Sequence, residues 1–149
     1  MILGAVVFAL LFVMTGLVEQ FNIEPYETVD AALYFGRERA VEELVGRLAE
    51  ASLIAVIGSS GSGKSSLLRA GLLPRLADYE PLLMRPRDPP LALRPGDRLA
   101  VVVDQFEELF APTVDEAHRR AVVDALVEAA WDPARRAVVL VALRADFFG

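Results

Sequence analysis

The chain has 149 residues, enough for one domain with a real core, and 54% of them are hydrophobic, which argues against disorder. It has no cysteine and one histidine, so disulfides, thiolate zinc sites, cysteine nucleophiles and a histidine-based metal centre or triad lack their ligands. A net charge of −6 argues against broad nucleic-acid binding, which relies on lysine and arginine to neutralise phosphates, and the lack of cysteine suits a reducing, cytoplasmic compartment.

In chain order, residues 1–18 (MILGAVVFALLFVMTGLV) carry no charge and reach the shortest length read as a membrane span. No basic start and no small-residue cleavage site mark a signal peptide. Glu19, Glu24, Glu27 and Asp30 follow, where the positive-inside rule asks for lysine or arginine on a cytoplasmic side. Three readings stay open: a membrane anchor for a cytoplasmic domain, a buried hydrophobic segment, or a start upstream of the natural domain. Residues 21–35 read as a mixed, aromatic-bearing approach segment. A helix is predicted over 36–51, where Val41, Leu44, Val45 and Leu48 fall on one apolar stripe. The aliphatic run 52–57 ends at a glycine and reads as a buried strand. A helix follows over 64–73, stopped by Pro74. Residues 81–84 are a candidate short strand, and the proline-rich stretch 85–98 is a loop. LAVVV (99–103) is a second buried strand. Residues 113–131 open with a candidate capping box, Thr113 with Glu116, and continue as an amphipathic helix with His118 at a solvated position; Asp132 and Pro133 close it. AVVLVAL (137–143) is the third strong strand. No internal repeat or low-complexity tract interrupts this alternation, which indicates an α/β fold with a mostly parallel sheet covered on both faces.

The stretch from Gly58 to Ser66 carries the clearest chemistry. Gly58-Ser59-Ser60-Gly61-Ser62-Gly63-Lys64-Ser65 fits G-x-x-x-x-G-K-[ST] at each fixed position, between a strand and a helix. Glycines let the backbone turn openly and approach an anion. Successive N–H groups form a nest, and the helix behind it presents its positive dipole end. Lys64 is placed for the β- and γ-phosphates of ATP, and the Ser65 hydroxyl for Mg²⁺. The bland alternative is a flexible Gly/Ser connection. Asp104, at the tip of strand 99–103, is the candidate second Mg²⁺ ligand, because a carboxylate there faces the crevice in which open α/β sheets bind ligands. Its alternative is a solvated strand end. Glu107 or Glu108 could orient an attacking water as general base, but the position directly after the aspartate is Gln105, so the assignment stays open. Phe106, Leu109 and Phe110 read as core. Arg144, just past the third strand, either senses the γ-phosphate or simply pairs with Asp146.

The blocks YFGRERAVEELVGRL, VIGSSGSGKSSLLRAGLLPRL, VVVDQFEELF and LVALRADFFG, in this order, resemble the novel STAND NTPase 1 family. RAGLLPRL and DQFEELF carry the resemblance further than the phosphate loop does. It implies a three-layer P-loop NTPase sandwich with a strand inserted between the two Walker strands. It also implies a nucleotide-controlled signalling switch with slow ATP hydrolysis, joined to other domains of a larger assembly. Under this resemblance Phe35, Gly36 and Arg37 lie near the adenine, Lys64 and Ser65 at phosphate and Mg²⁺, Asp104 at Mg²⁺, and Arg144 serves as sensor. Two departures shape the expectations for residues 19–149. Asp104 follows Lys64 by only forty residues, so the second strand and its helix are expected to be reduced. The strand that should flank the phosphate-loop strand has no counterpart after Arg144, so strand 52–57 is expected to be an unprotected edge in a domain incomplete at its C-terminus. Rival readings are a GTPase, since Asp146 to Gly149 fits D-x-x-G although no [NT]-K-x-D motif accompanies it, and a non-catalytic nucleotide-binding scaffold, anchored to a membrane or not. A P-loop kinase would need a lid and an acceptor pocket that no residues suggest.

Overall fold

The structure, a computed structural model, describes residues 19–22, 30–58 and 63–148; the hydrophobic stretch 1–18, residues 23–29 of the expected approach segment, Ser59, Ser60, Gly61, Ser62 and Gly149 lie outside the described residues, and so does the side chain of Phe35. Among the described residues five strands form one sheet: β1 (Glu19–Asn22), β2 (Leu53–Gly58), β3 (Glu80–Met84), β4 (Leu99–Val103) and β5 (Ala137–Arg144). All pairings are parallel, in the order β1-β2-β5-β4-β3. The predicted insertion is present: β5 lies between the phosphate-loop strand β2 and the aspartate strand β4.

The strands are continuously apolar because both faces are covered. Every residue of β2 is buried, as are Ala100 to Val103 of β4 and Ala137 to Leu143 of β5. Alternate residues feed two cores. Leu53, Ala55, Ile57, Val101, Val103, Val139 and Val141 pack with helix α3 (Glu116–Ala130) and the 3-10 turn Phe106–Phe110. Ile54, Val56, Ala100, Val102, Val138, Leu140 and Ala142 face helix α1 (Asp30–Leu48) and the helical run α2 (Lys64–Arg75). Helix α2 starts as Lys64–Ser66, widens into a π-helical segment Leu67–Leu72 and tightens into a 3-10 turn Leu73–Arg75. The result is a three-layer sandwich.

Several expectations need correction. Strand β2 is not an edge: β1 pairs with it, Glu19 opposite Ile54 through Asn22 opposite Ile57. Phe21 and Asn22, read as the start of an approach segment, thus join Glu19 and Gln20 in a strand where none was expected. Helix α1 begins at Asp30 rather than Gly36, since Ala31, Ala32 and Leu33 favour helix, and it ends at Leu48. Pro74 does not stop α2 before itself, because the first positions of a 3-10 turn need no N–H from it. The cap of α3 is Asp115, whose carboxylate accepts the His118 N–H at 3.3 Å. Thr113 instead accepts from Arg87, and Glu116 pairs with Arg120. His118 is not simply solvated: its Nε2 lies 2.9 Å from the Pro86 carbonyl oxygen and ties the proline-rich loop to α3. The reduced region is as expected, with no helix between β3 and β4. Among the described residues no helix is long and apolar enough to cross a membrane.

Candidate functional site

The carboxyl ends of β2, β5 and β4 meet at one end of the sheet. Gly58 is in register with Arg144, and Val103, one residue before Asp104, with Val141. Topology therefore gathers the phosphate-loop boundary, the arginine and the aspartate where parallel α/β sheets bind ligands. Gly63 closes the loop at φ 82°, a left-handed conformation that a side chain would strain, and it is the residue before α2. The Arg37 guanidinium packs against Gly63 where a β-carbon would sit, and its Nη1 donates to the Gly63 carbonyl at 3.4 Å. Arg37 thus touches the phosphate loop itself. Lys64 Nζ donates to the Gly58 carbonyl at 2.8 Å, so the ammonium spans the two ends of the loop. Ser66, the last residue of the predicted binding stretch, is exposed.

Asp104 is the hub. Its Oδ2 accepts the Ser65 hydroxyl at 2.5 Å, across 39 residues of sequence. Its Oδ1 accepts the Gln105 N–H at 2.9 Å, an arrangement made by the left-handed φ of 51° at Gln105. Arg69 Nη2 approaches Oδ2 at 3.5 Å. A hydroxyl and a carboxylate are hard oxygen donors, the type Mg²⁺ selects. Among the described residues no group of three or more His, Cys, Asp and Glu could hold a metal, and Ser65 and Asp104 are the oxygen donors that the structure brings together here. Mg²⁺ that keeps waters and takes phosphate oxygens fits that donor set, whereas an all-protein cage does not.

The two glutamates separate. Glu108 is exposed, while Glu107 is half-buried, with its Oε2 sealed from solvent and without a hydrogen-bond partner. Burial pushes the Glu107 carboxyl above its ordinary value; its own N–H, the Arg144 N–H and the nearby Lys64 and Arg144 charges pull the other way and do not overcome it. Arg144 stands at the tip of β5 and forks onto Asp146, Nε to Oδ1 at 3.0 Å and Nη2 to Oδ2 at 2.5 Å, with about half of its side chain exposed. The structure therefore displays the pairing with Asp146. Phe106, Leu109 and Phe110 are buried, as expected of core. Arg69 went unnoticed in the sequence, although it follows Ser65 by four positions and so shares its helix face. The contact between Arg37 and Gly63 had no signal in the sequence, because it depends on how α1 lies against α2.

A sequence model of the family described as Novel STAND NTPase 1 matches residues 22–98 and 87–149. No curated protein and no solved structure matches the chain.

Proposed function

The chain belongs to the Novel STAND NTPase 1 family, and from that membership and the site geometry we propose that it binds ATP with Mg²⁺ and acts as a nucleotide-controlled switch. Membership makes it a nucleotide-binding P-loop module; ATP, Mg²⁺, hydrolysis and signalling are the finer reading. The observation that carries it is the hydrogen bond from Ser65 to Asp104, which joins the phosphate-loop helix to the acidic end of β4, across the intervening β5. In this reading the backbone from Gly58 to Gly63 cradles the phosphates, and Phe35, Gly36 and Arg37 border the adenine side of the cleft. Lys64 leaves the Gly58 carbonyl for the β- and γ-phosphates. Ser65 and Asp104 hold the metal, whose charge offsets that of the phosphates. Glu107, sealed on one oxygen and with its carboxyl pushed above its ordinary value by burial, is better placed than the exposed Glu108 to orient water as a base. Arg144 reports on the γ-phosphate only when it lets go of Asp146. A cytoplasmic domain, joined to other domains of a signalling assembly, suits the family and the lack of cysteine.

Calorimetric titration with ATP and Mg²⁺ tests the assignment. Lys64→Ala removes a charged hydrogen bond worth about 1.5–3 kcal/mol, so affinity should fall at least about tenfold. Equal affinity in the variant would sink it, and competition by GTP would show whether guanine is preferred. A second reading, a module that binds nucleotide without turning it over, is favoured by Gln105 after Asp104 and by the engagement of Arg144 with Asp146. Single-turnover measurement separates the two: a chain that binds ATP and releases no phosphate is the non-catalytic scaffold.

A further inference from the structure

Asp104 Oδ2 carries two donors, and they are not equivalent. The Ser65 hydroxyl can keep its proton on the carboxylate while its lone pairs turn to a metal ion. Arg69 cannot, because a guanidinium has no lone pair to offer and brings a positive charge to the same oxygen. We infer that Arg69 occupies the cation side of Asp104 when no metal is there, and gives way when a divalent ion arrives, so that it sets the metal affinity of the site. The inference rests on the reading of Ser65 and Asp104 as metal ligands.

Helix geometry supports it. Ser65 and Arg69, four positions apart, meet the same carboxylate from one helix face. The π-helical segment Leu67–Leu72 contains Arg69, and such single-turn widenings are frequent at functional sites. About half of the Arg69 side chain is exposed, against 19% for Asp104, so the arginine can swing into solvent while the aspartate stays. Asp104 is held independently through Oδ1 by the Gln105 N–H, so losing Arg69 does not release it. Leu67, Leu68 and Leu72 fasten the segment to the core, so the swing belongs to the arginine side chain and not to the helix.

The test is Mn²⁺ binding, read by electron paramagnetic resonance with ADP present, on the wild type, Arg69→Gln and Arg69→Lys. Arg69→Gln should bind Mn²⁺ about two- to fivefold more tightly at low salt, the range an exposed ion pair supplies. That gain should fade near 1 M salt, where screening removes it. Arg69→Lys retains the charge and should stay close to wild type, which separates charge from packing. A wild type that takes up no Mn²⁺ with nucleotide overturns the metal site itself and this inference with it. If the wild type binds and Arg69→Gln is unchanged or weaker, the metal site stands and the role of Arg69 falls; the weaker result would place Arg69 on the phosphates.

Discussion

At the carboxyl of Glu107, burial opposes charge and hydrogen bonding, and burial prevails. The sign has a direct consequence. With the folded value raised above the unfolded one, stability is complete below the unfolded value and is lost as pH rises through the folded one. Glu107→Gln, which stays neutral, should therefore be more stable than wild type at pH 7 without nucleotide. The gain should be about 1 kcal/mol or less, since the group is only half-buried, and should vanish as pH falls toward 4. Thermal melts across that range check it; a loss of stability at pH 7 would mean that Glu107 is held by its cations after all. At Arg144 the competition is between two anions. An exposed pair with Asp146 contributes about 1 kcal/mol or less, and a desolvated charge-assisted bond to a γ-phosphate about 1.5–3, so the phosphate can win. Arg144→Ala should leave ADP affinity nearly unchanged and weaken ATP about tenfold or more. Parallel titrations that show equal losses for both nucleotides would leave Arg144 as the partner of Asp146 alone.

Among the elements, α3 shows how one residue decides a helix start. Asp115 stands in extended conformation before the first turn and accepts the N–H of His118, whereas the Thr113 hydroxyl is engaged by Arg87 at 2.8 Å. Asp115→Ala should cost about 1 kcal/mol, the usual worth of a cap. Thr113→Ala should cost only a few tenths, because its partner is an exposed arginine. Denaturant melts of both variants decide it, and the reverse ranking would restore the capping box. At the far end of the molecule Arg135, at φ 50°, donates to the carbonyls of Leu48 and Ala49 and closes the last turn of α1. The same helix brings Arg37 to Gly63. Helix α1 is therefore held at its C-terminus by the loop before β5 and touches the phosphate loop near its start.

For the whole molecule, two cores on a five-stranded sheet place the site above strands that are buried on both sides. Ligand binding to the loop should then stabilise the entire domain, because the loop connects β2 directly to α2. At a nucleotide concentration of about 100 times Kd the linkage is worth about 2.7 kcal/mol. For a chain of this size that is a rise in Tm of roughly 5–10 °C. The shift should require Mg²⁺ in full and should be lost in Lys64→Ala. Differential scanning calorimetry without any shift at saturating ATP would count against the nucleotide assignment.

The phosphate-loop pattern, the acidic end of strand 99–103 and the three apolar strands were legible in the sequence because each is local. A run of aliphatics buried on both faces looks the same in any context, and a loop that must cradle an anion needs its glycines at set spacings. The insertion of β5 between β2 and β4 followed from family resemblance and not from any single segment. Pairings between distant residues were not legible. Nothing in Glu19 to Asn22 announces a strand, because its partner is the edge of β2, and an edge accepts backbone from any segment that reaches it. Likewise, the choice of Asp115 over Thr113 as cap, the separation of Glu107 from Glu108 and the approach of Arg69 to Asp104 depend on how helices and turns lie against the sheet. Sequence alone determined which chemical groups stand at the strand ends; tertiary packing decided which of them meet, since hydrogen bonds and burial act over a few ångströms that only the folded chain sets.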